Sequence, residues 1–145
     1  MSIIKEIYDV AKDGTRQAAK IGAIKRALKS ELKINKKCLE DIEKSFDIDD
    51  ERRKKIIKML DVDELTAAVR YEIPYLALSR KKVTPDLTKK YKIKRIKDYS
   101  LEQLIESLHL LITYLKKDTN NERINLNLRL ININKYNNVL LDLLK

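Results

Sequence analysis

Nine side chains between positions 80 and 97 carry a fixed positive charge: Arg80, Lys81, Lys82, Lys89, Lys90, Lys92, Lys94, Arg95 and Lys97. Asp86 is the only carboxylate among them. A second group, Lys25, Arg26, Lys29, Lys33, Lys36 and Lys37, lies earlier in the chain. Ammonium and guanidinium groups at this density do one kind of chemistry well. They neutralise phosphate or carboxylate, the ammonium as a point charge and the guanidinium as a planar fork of donors. When several phosphates are engaged together, counterions are released and affinity for nucleic acid becomes independent of sequence. The formal charge of +10 is segregated: residues 14–37 are net +7, residues 38–79 net −4 and residues 80–97 net +8. Clustered charge raises the local potential more than the same charge dispersed.

Other chemistries find few residues to work with. His109 is the only histidine and Cys38 the only cysteine, so neither a zinc set nor an internal disulfide can be assembled within the chain. On a helix over 101–117, His109 aligns with the polar positions Glu102, Glu106, Thr113 and Lys116, which predicts a solvent-facing ring. Gly14 and Gly22 are the only glycines and cannot form a phosphate-cradling loop. The carboxylates Asp47, Asp49, Asp50 and Glu51 are followed by Arg52, Arg53, Lys54 and Lys55, where a calcium loop needs a central glycine and a distal glutamate. Helix capping explains them better. The expectation is a non-enzyme with no cofactor and no metal.

The elements that must position the charges read as helices. Two glycines and two prolines are too few for the frequent turns of a sheet protein. The length suits one domain, residues 1–145, and the pattern predicts an all-α bundle of six to seven helices. A short amphipathic helix is expected over 2–12, with Ile3, Ile7 and Val10 or Ala11 inward. Asp13-Gly14-Thr15 then forms a break, with Thr15 as a cap. One long helix over about 16–45 comes next, its seam formed by Ile21, Ile24, Leu28, Leu32, Asn35, Leu39, Ile42 and Phe46. Asn35 either fixes register against another helix or sits at an edge with its amide in water. Ala18, Ala19, Gly22 and Ala23 narrow the first turns.

Asp47 or Asp49 caps a helix over 50–60 with Ile56, Ile57 and Leu60 inward. Asp63 caps the next, carrying Leu65, Val69, Ile73 and Leu76 inward, with a kink or restart at Pro74. The corner at Leu60-Asp61-Val62-Asp63 loosely resembles that of a helix-turn-helix, but Asp63 and Glu64 would meet phosphate with like charge. Thr84-Pro85 starts a short helix inside the basic run. Ser100 and Gln103 form a capping box ahead of a helix over 101–117. The last segment alternates like a strand at Ile124, Leu126, Leu128 and Leu130, yet also fits a helix; helix is favoured because a lone strand has no partner.

Tyr71, Tyr75, Tyr91 and Tyr99 flank or interrupt the basic run, either to stack on unpaired bases or as core-edge residues. Tyr91, Ile93, Ile96 and Tyr99 would pin the run to the core and so aim its lysines. No stretch reaches the ~20 apolar residues of a membrane span, and a soluble, cytoplasmic protein is expected. Two functions compete. One is a non-catalytic module that binds nucleic acid without sequence specificity. The other is a protein-interaction or regulatory subunit that docks an acidic partner. It could act as a homo-oligomer through the long helix, or within a larger complex such as a toxin-antitoxin or phage-defence assembly. The first requires the two basic blocks to share one face.

Overall fold

Apolar residues recur every three or four positions along most of the chain, and there the backbone is helical. The computed structural model describes residues 2–10, 17–44 and 48–145, without the side chains of residues 10, 17, 18, 43 and 44. Nine helices form among the described residues: α1 (Ile3–Val10), α2 (Gln17–Cys38), α3 (Glu40–Lys44), α4 (Asp50–Met59), α5 (Asp63–Arg70), α6 (Tyr75–Leu78), α7 (Pro85–Lys90), α8 (Leu101–Lys117) and α9 (Leu126–Leu143). They contain no strand, and the only bridge among these residues is an isolated antiparallel one between Lys82 and Ser100. The all-α bundle is as expected, with more and shorter helices. The break at Asp13-Gly14-Thr15, the inward position of Ala11, and Phe46 and Asp47 lie outside the described residues.

Helix α2 is the axis of the core. Ile24, Leu28, Leu32, Asn35 and Leu39 are fully buried, and α2 packs against α1, α5 and α9 of the same chain. The apolar seam is thereby filled from within. The predicted long helix is interrupted at Leu39, which separates α2 from α3. There the Leu39 amide is shared between the Asn35 and Lys36 carbonyls (3.0 and 3.2 Å), and the Ile42 amide donates to the Leu39 carbonyl at 3.1 Å. One tightened turn of this kind shifts the helical phase of the residues after it, and both Leu39 and Ile42 remain buried.

Two polar residues on α2 fix the helices around it. Asn35 Nδ2 donates to the Asp61 carbonyl at 2.7 Å, and Asn35 Oδ1 accepts from the Asp61 amide at 2.8 Å. With Asn35 wholly buried, this is the register-fixing role, not an edge position in water. One turn earlier, Glu31 Oε1 accepts from the Glu64 amide (2.8 Å) and Oε2 from the Leu65 amide (2.9 Å). The expected cap, Asp63, is instead the first residue of α5, and Val62 before it offers no side-chain bond. Glu31 therefore satisfies the orphan donors of α5 from another helix. Glu64 repeats the device on α1, accepting from Ser2 Oγ and from the Ile4 amide at 3.2 Å. Glu64 is buried, so at the α4–α5 corner its side chain is turned into the packing against α1, while Asp61 and Asp63 are exposed.

Elsewhere the phase of the pattern needs correction. In α1 it is Ile4 that is buried, whereas Ile3 is exposed. Helix α5 ends at Arg70, Glu72 adopts a positive φ of 47°, and α6 restarts after Pro74. The restart breaks the helical phase, so Leu76 is 69% exposed and Leu78, at 4%, takes the inward place. The last segment is helical from Leu126 to Leu143, with Asn125 Oδ1 accepting from the Leu128 amide at 3.0 Å. Leu128 points outward, as helical and not strand geometry requires. No described helix is long and apolar enough to cross a membrane.

Candidate functional site

The basic run is folded into a closed loop. Thr84 Oγ1 accepts from the Leu87 amide at 3.3 Å and Pro85 opens α7, as its sequence predicts. Helix α7 ends in a paired 6→1 and 5→2 closure: the Ile93 amide donates to Thr88 at 3.0 Å and the Lys92 amide to Lys89 at 3.3 Å. Lys92 takes the left-handed position that glycine usually fills, with φ of 54°. The loop ends are bonded together, the Val83 amide to the Tyr99 carbonyl and the Asp98 amide to the Val83 carbonyl, both at 2.9 Å. Val83, Ile93 and Ile96 are buried beneath, and Tyr91 and Tyr99 are half-buried against the core. The backbone that carries the lysines of this loop is consequently held in place.

Helix α9 draws the loop toward α2. Lys135 Nζ donates to the Lys92 carbonyl at 3.1 Å, and Lys81 Nζ donates to the Lys145 carbonyl at 3.3 Å. Asp142 is the centre of the junction. Tyr91 Oη donates to its Oδ2 at 2.7 Å, Lys90 Nζ lies 3.4 Å from Oδ2, and Lys145 Nζ lies 2.8 Å from Oδ1. Around this knot opens a cleft of about 520 Å³ lined by Lys29, Lys33, Lys36, Lys90, Tyr91, Asn138, Leu141, Asp142 and Lys145. A neighbouring cleft of about 430 Å³ shares Lys90, Tyr91 and Asn138 and adds Lys92, Lys135, Asn134, Ile42 and Ile131. Among the described residues Asp142 is the only carboxylate lining either one.

The protonation states derive from these contacts. Burial pulls the Asp142 carboxyl upward, but hydrogen bonds from Lys145 and Tyr91 and the charges of Lys145 and Lys90 outweigh it, leaving a lowered pKa. Burial raises the Tyr91 phenol, and its bond to Asp142 raises it further against the opposing effect of Lys90. Lys90 is held protonated by Tyr91 and then by Asp142. Near neutral pH the knot is a carboxylate, a neutral phenol and two ammonium groups.

No protein-family model matches the chain, and no curated protein or solved structure is similar to it. The chemistry of the site therefore has to be read from its own residues. Lys29, Lys33 and Lys36 of the first block meet Lys90 and Lys92 of the second across the paired clefts. Lys81 is tied to the rim through Lys145. Arg80, Lys82, Lys89, Lys94, Arg95 and Lys97 are exposed but line neither cleft, and Arg95 lies 6.0 Å from the Tyr136 ring centroid. Lys25 and Arg26 stand nearer the start of α2, outside the clefts. Lys37 instead joins Lys33, Cys38, Ile34 and Met59 around a small apolar patch.

Counting charge by blocks missed Lys135, Asn138, Asp142 and Lys145. Residues 98–145 balance overall, which hides the fact that Lys135, Asn138 and Asp142 recur at spacings of three and four on one flank of α9, with Lys145 three residues further on, past its end. It also missed Lys54, Lys55, Lys58 and Lys116, which line a separate cleft with Glu51. Among the described residues no group of histidine, cysteine or carboxylates could hold a metal ion. His109 is half-buried and not fully solvent-facing, and burial lowers its pKa, so it is neutral at physiological pH.

Proposed function

We propose that the protein is a non-catalytic module that binds the sugar–phosphate backbone of nucleic acid without sequence specificity. The observation that carries this reading is the shared lining of one cleft by Lys29, Lys33 and Lys36 of α2, Lys90 of α7 and Lys145 just beyond the end of α9, with Asp142 the only carboxylate among the described lining residues. Lys29 to Lys36 covers about 10 Å along the helix axis, roughly three nucleotide rises of a stacked strand. Ammonium groups at that pitch suit successive phosphates. Among the described residues no arginine lines either cleft, so neither presents a guanidinium fork to base edges, which accords with backbone contact.

Salt titration of binding tests the reading. Lysine contacts to about six phosphates of a single strand give a log K against log salt slope near about −4. Reversing Lys29, Lys33 and Lys36 to glutamate should flatten that slope by about 2 and weaken binding at low salt. A control reversing Arg80, Lys94 and Lys97, which line neither cleft, should change the slope by less than about 1. Equal losses in the two variants would show that net charge and not the cleft is responsible.

A second reading, docking of an acidic protein partner, is favoured by the half-exposed Ile34 and Met59 beside Lys33 and Lys37. Size-exclusion of nuclease-treated protein separates the two. A stable complex with a co-purifying acidic protein, lost on Ile34→Asp, supports the docking reading.

A further inference from the structure

Among the described residues Tyr91 is the only aromatic lining either basic cleft, and it lines both. It therefore stands as a divider between Lys29, Lys33 and Lys36 on one side and Lys92 and Lys135 on the other. Its position is over-determined. The backbone is the C-terminal cap of α7, with the Tyr91 amide donating to the Leu87 carbonyl at 3.1 Å. The hydroxyl is anchored 2.7 Å from Asp142 Oδ2. Lys90 Nζ lies over one face of the ring, 5.1 Å from its centroid. A fixed, half-buried ring between two rows of ammonium groups is the arrangement of a stacking platform in an electrostatic groove.

Resting on the nucleic-acid reading, we infer that the paired clefts take single-stranded nucleic acid in preference to duplex, with Tyr91 stacking on an unpaired base while the lysines on either side hold the flanking phosphates. A duplex keeps its base faces stacked inside the helix, so Tyr91 has nothing to meet there. It is also a stiff rod that contacts only the lysines at the rim of a concave site. An unpaired strand can place a base against the ring and bend its backbone into each cleft. Every base has a π-face, so the contact adds affinity without adding sequence preference.

The test uses the full chain and fluorescence anisotropy at one fixed salt concentration. Three labelled probes share a length: a mixed-sequence single strand, the corresponding duplex, and a single strand whose bases are replaced by abasic sites. Wild-type protein should bind the single strand about 10-fold or more tighter than the abasic strand, the range that base–aromatic stacking supplies. It should also prefer the single strand to the duplex. Tyr91→Leu keeps apolar bulk but no ring, and should lose about 10-fold in single-strand affinity. Relative to Tyr91→Phe, which likewise lacks the hydroxyl bond to Asp142, its duplex affinity and its salt slope should stay unchanged, because the two variants differ only in the ring. Tyr91→Phe keeps the ring and should retain most single-strand binding.

Equal wild-type affinity for the normal and abasic strands would overturn the inference, and it needs no variant to fold. So would a Tyr91→Leu protein that weakens single strand and duplex alike. In either case the nucleic-acid reading stands. Absence of binding to all three probes would remove the reading and the inference together.

Discussion

Replacing Glu31 by glutamine should change how stability depends on pH, and the structure sets both sign and size. Glu31 is 4% exposed, and its pKa is pushed up to about 7. Burial is the largest cause, with the charges of Asp61 and Glu64 adding to it. The amides of Glu64 and Leu65 pull the other way. The unfolded chain titrates this group near the ordinary value of 4.5. Between those two values the folded state binds more protons than the unfolded one, so its stability rises as pH falls. The contribution is fully present below about pH 4.5 and is lost as pH rises through about 7.

A shift of that size corresponds to roughly 3 kcal/mol. Glutamine cannot titrate, and its amide oxygen can still accept from one of the two α5 donors. Urea unfolding of wild type and Glu31→Gln at intervals from about pH 4.5 to about 7.5 measures the effect as a difference. Other carboxylates, including Asp142 with its opposite sign, are common to both proteins and cancel. The stability of wild type relative to the variant should increase by roughly 3 kcal/mol on going from about pH 7.5 to about 4.5. A difference that stays flat, or grows toward high pH, would refute the reasoning that burial outweighs the two amide bonds in setting the titration of Glu31.

Three further outcomes are expected. Leu78→Ala should cost about 2–5 kcal/mol in urea unfolding, whereas Leu76→Ala should stay within about 0.5 kcal/mol, because only Leu78 is buried. Glu72→Gly should raise stability by roughly 0.5–1 kcal/mol, since Glu72 holds a φ of 47° where the Ile73 amide closes back on Ala68 at 3.4 Å. A loss of stability there would show that the Glu72 side chain contributes more than its backbone strain costs. The Cys38 thiol has its pKa raised by burial, with a backbone hydrogen bond opposing, so alkylation at about pH 7.5 should run well below the rate of free cysteine.

What was legible in the sequence was local. Thr84-Pro85 and the Ser100–Gln103 box announce helix starts because the cap and the amide it serves lie within three residues. The pinning of the basic run by Ile93 and Ile96 was legible for the same reason, as apolar side chains interrupting a charged stretch. Glu31 and Glu64 carried no such signal. Each caps a helix that lies more than thirty residues away in the chain, and in sequence each reads as an ordinary charged helix position. The phase errors at Ile3 and Leu76 arose where a helix begins or restarts, since periodicity fixes spacing but not the starting angle. The paired clefts were half legible: both basic blocks were visible, but their meeting depends on α9, whose own charges sum to little.

That dependence explains why the two blocks converge. Helix α9 is buried along most of its length from Ile133 to Leu140, and Asn137 Nδ2 fixes it to the Leu32 carbonyl of α2 at 2.8 Å. Once α9 lies against α2, its Asn138 and Asp142, with Lys145 just past its end, share a cleft with Lys29, Lys33 and Lys36. Asp142 then captures Tyr91, and with it the end of α7 and Lys90. One carboxylate is enough to dock the loop but too few to neutralise the lysines gathered there. Like charges at helical spacings of three and four destabilise by a few tenths of a kcal/mol each. A fold shaped for stability alone would intersperse acids, as the segment 38–79 does. An anion that bound the folded chain there would relieve part of that repulsion, and by mass action it would stabilise the fold.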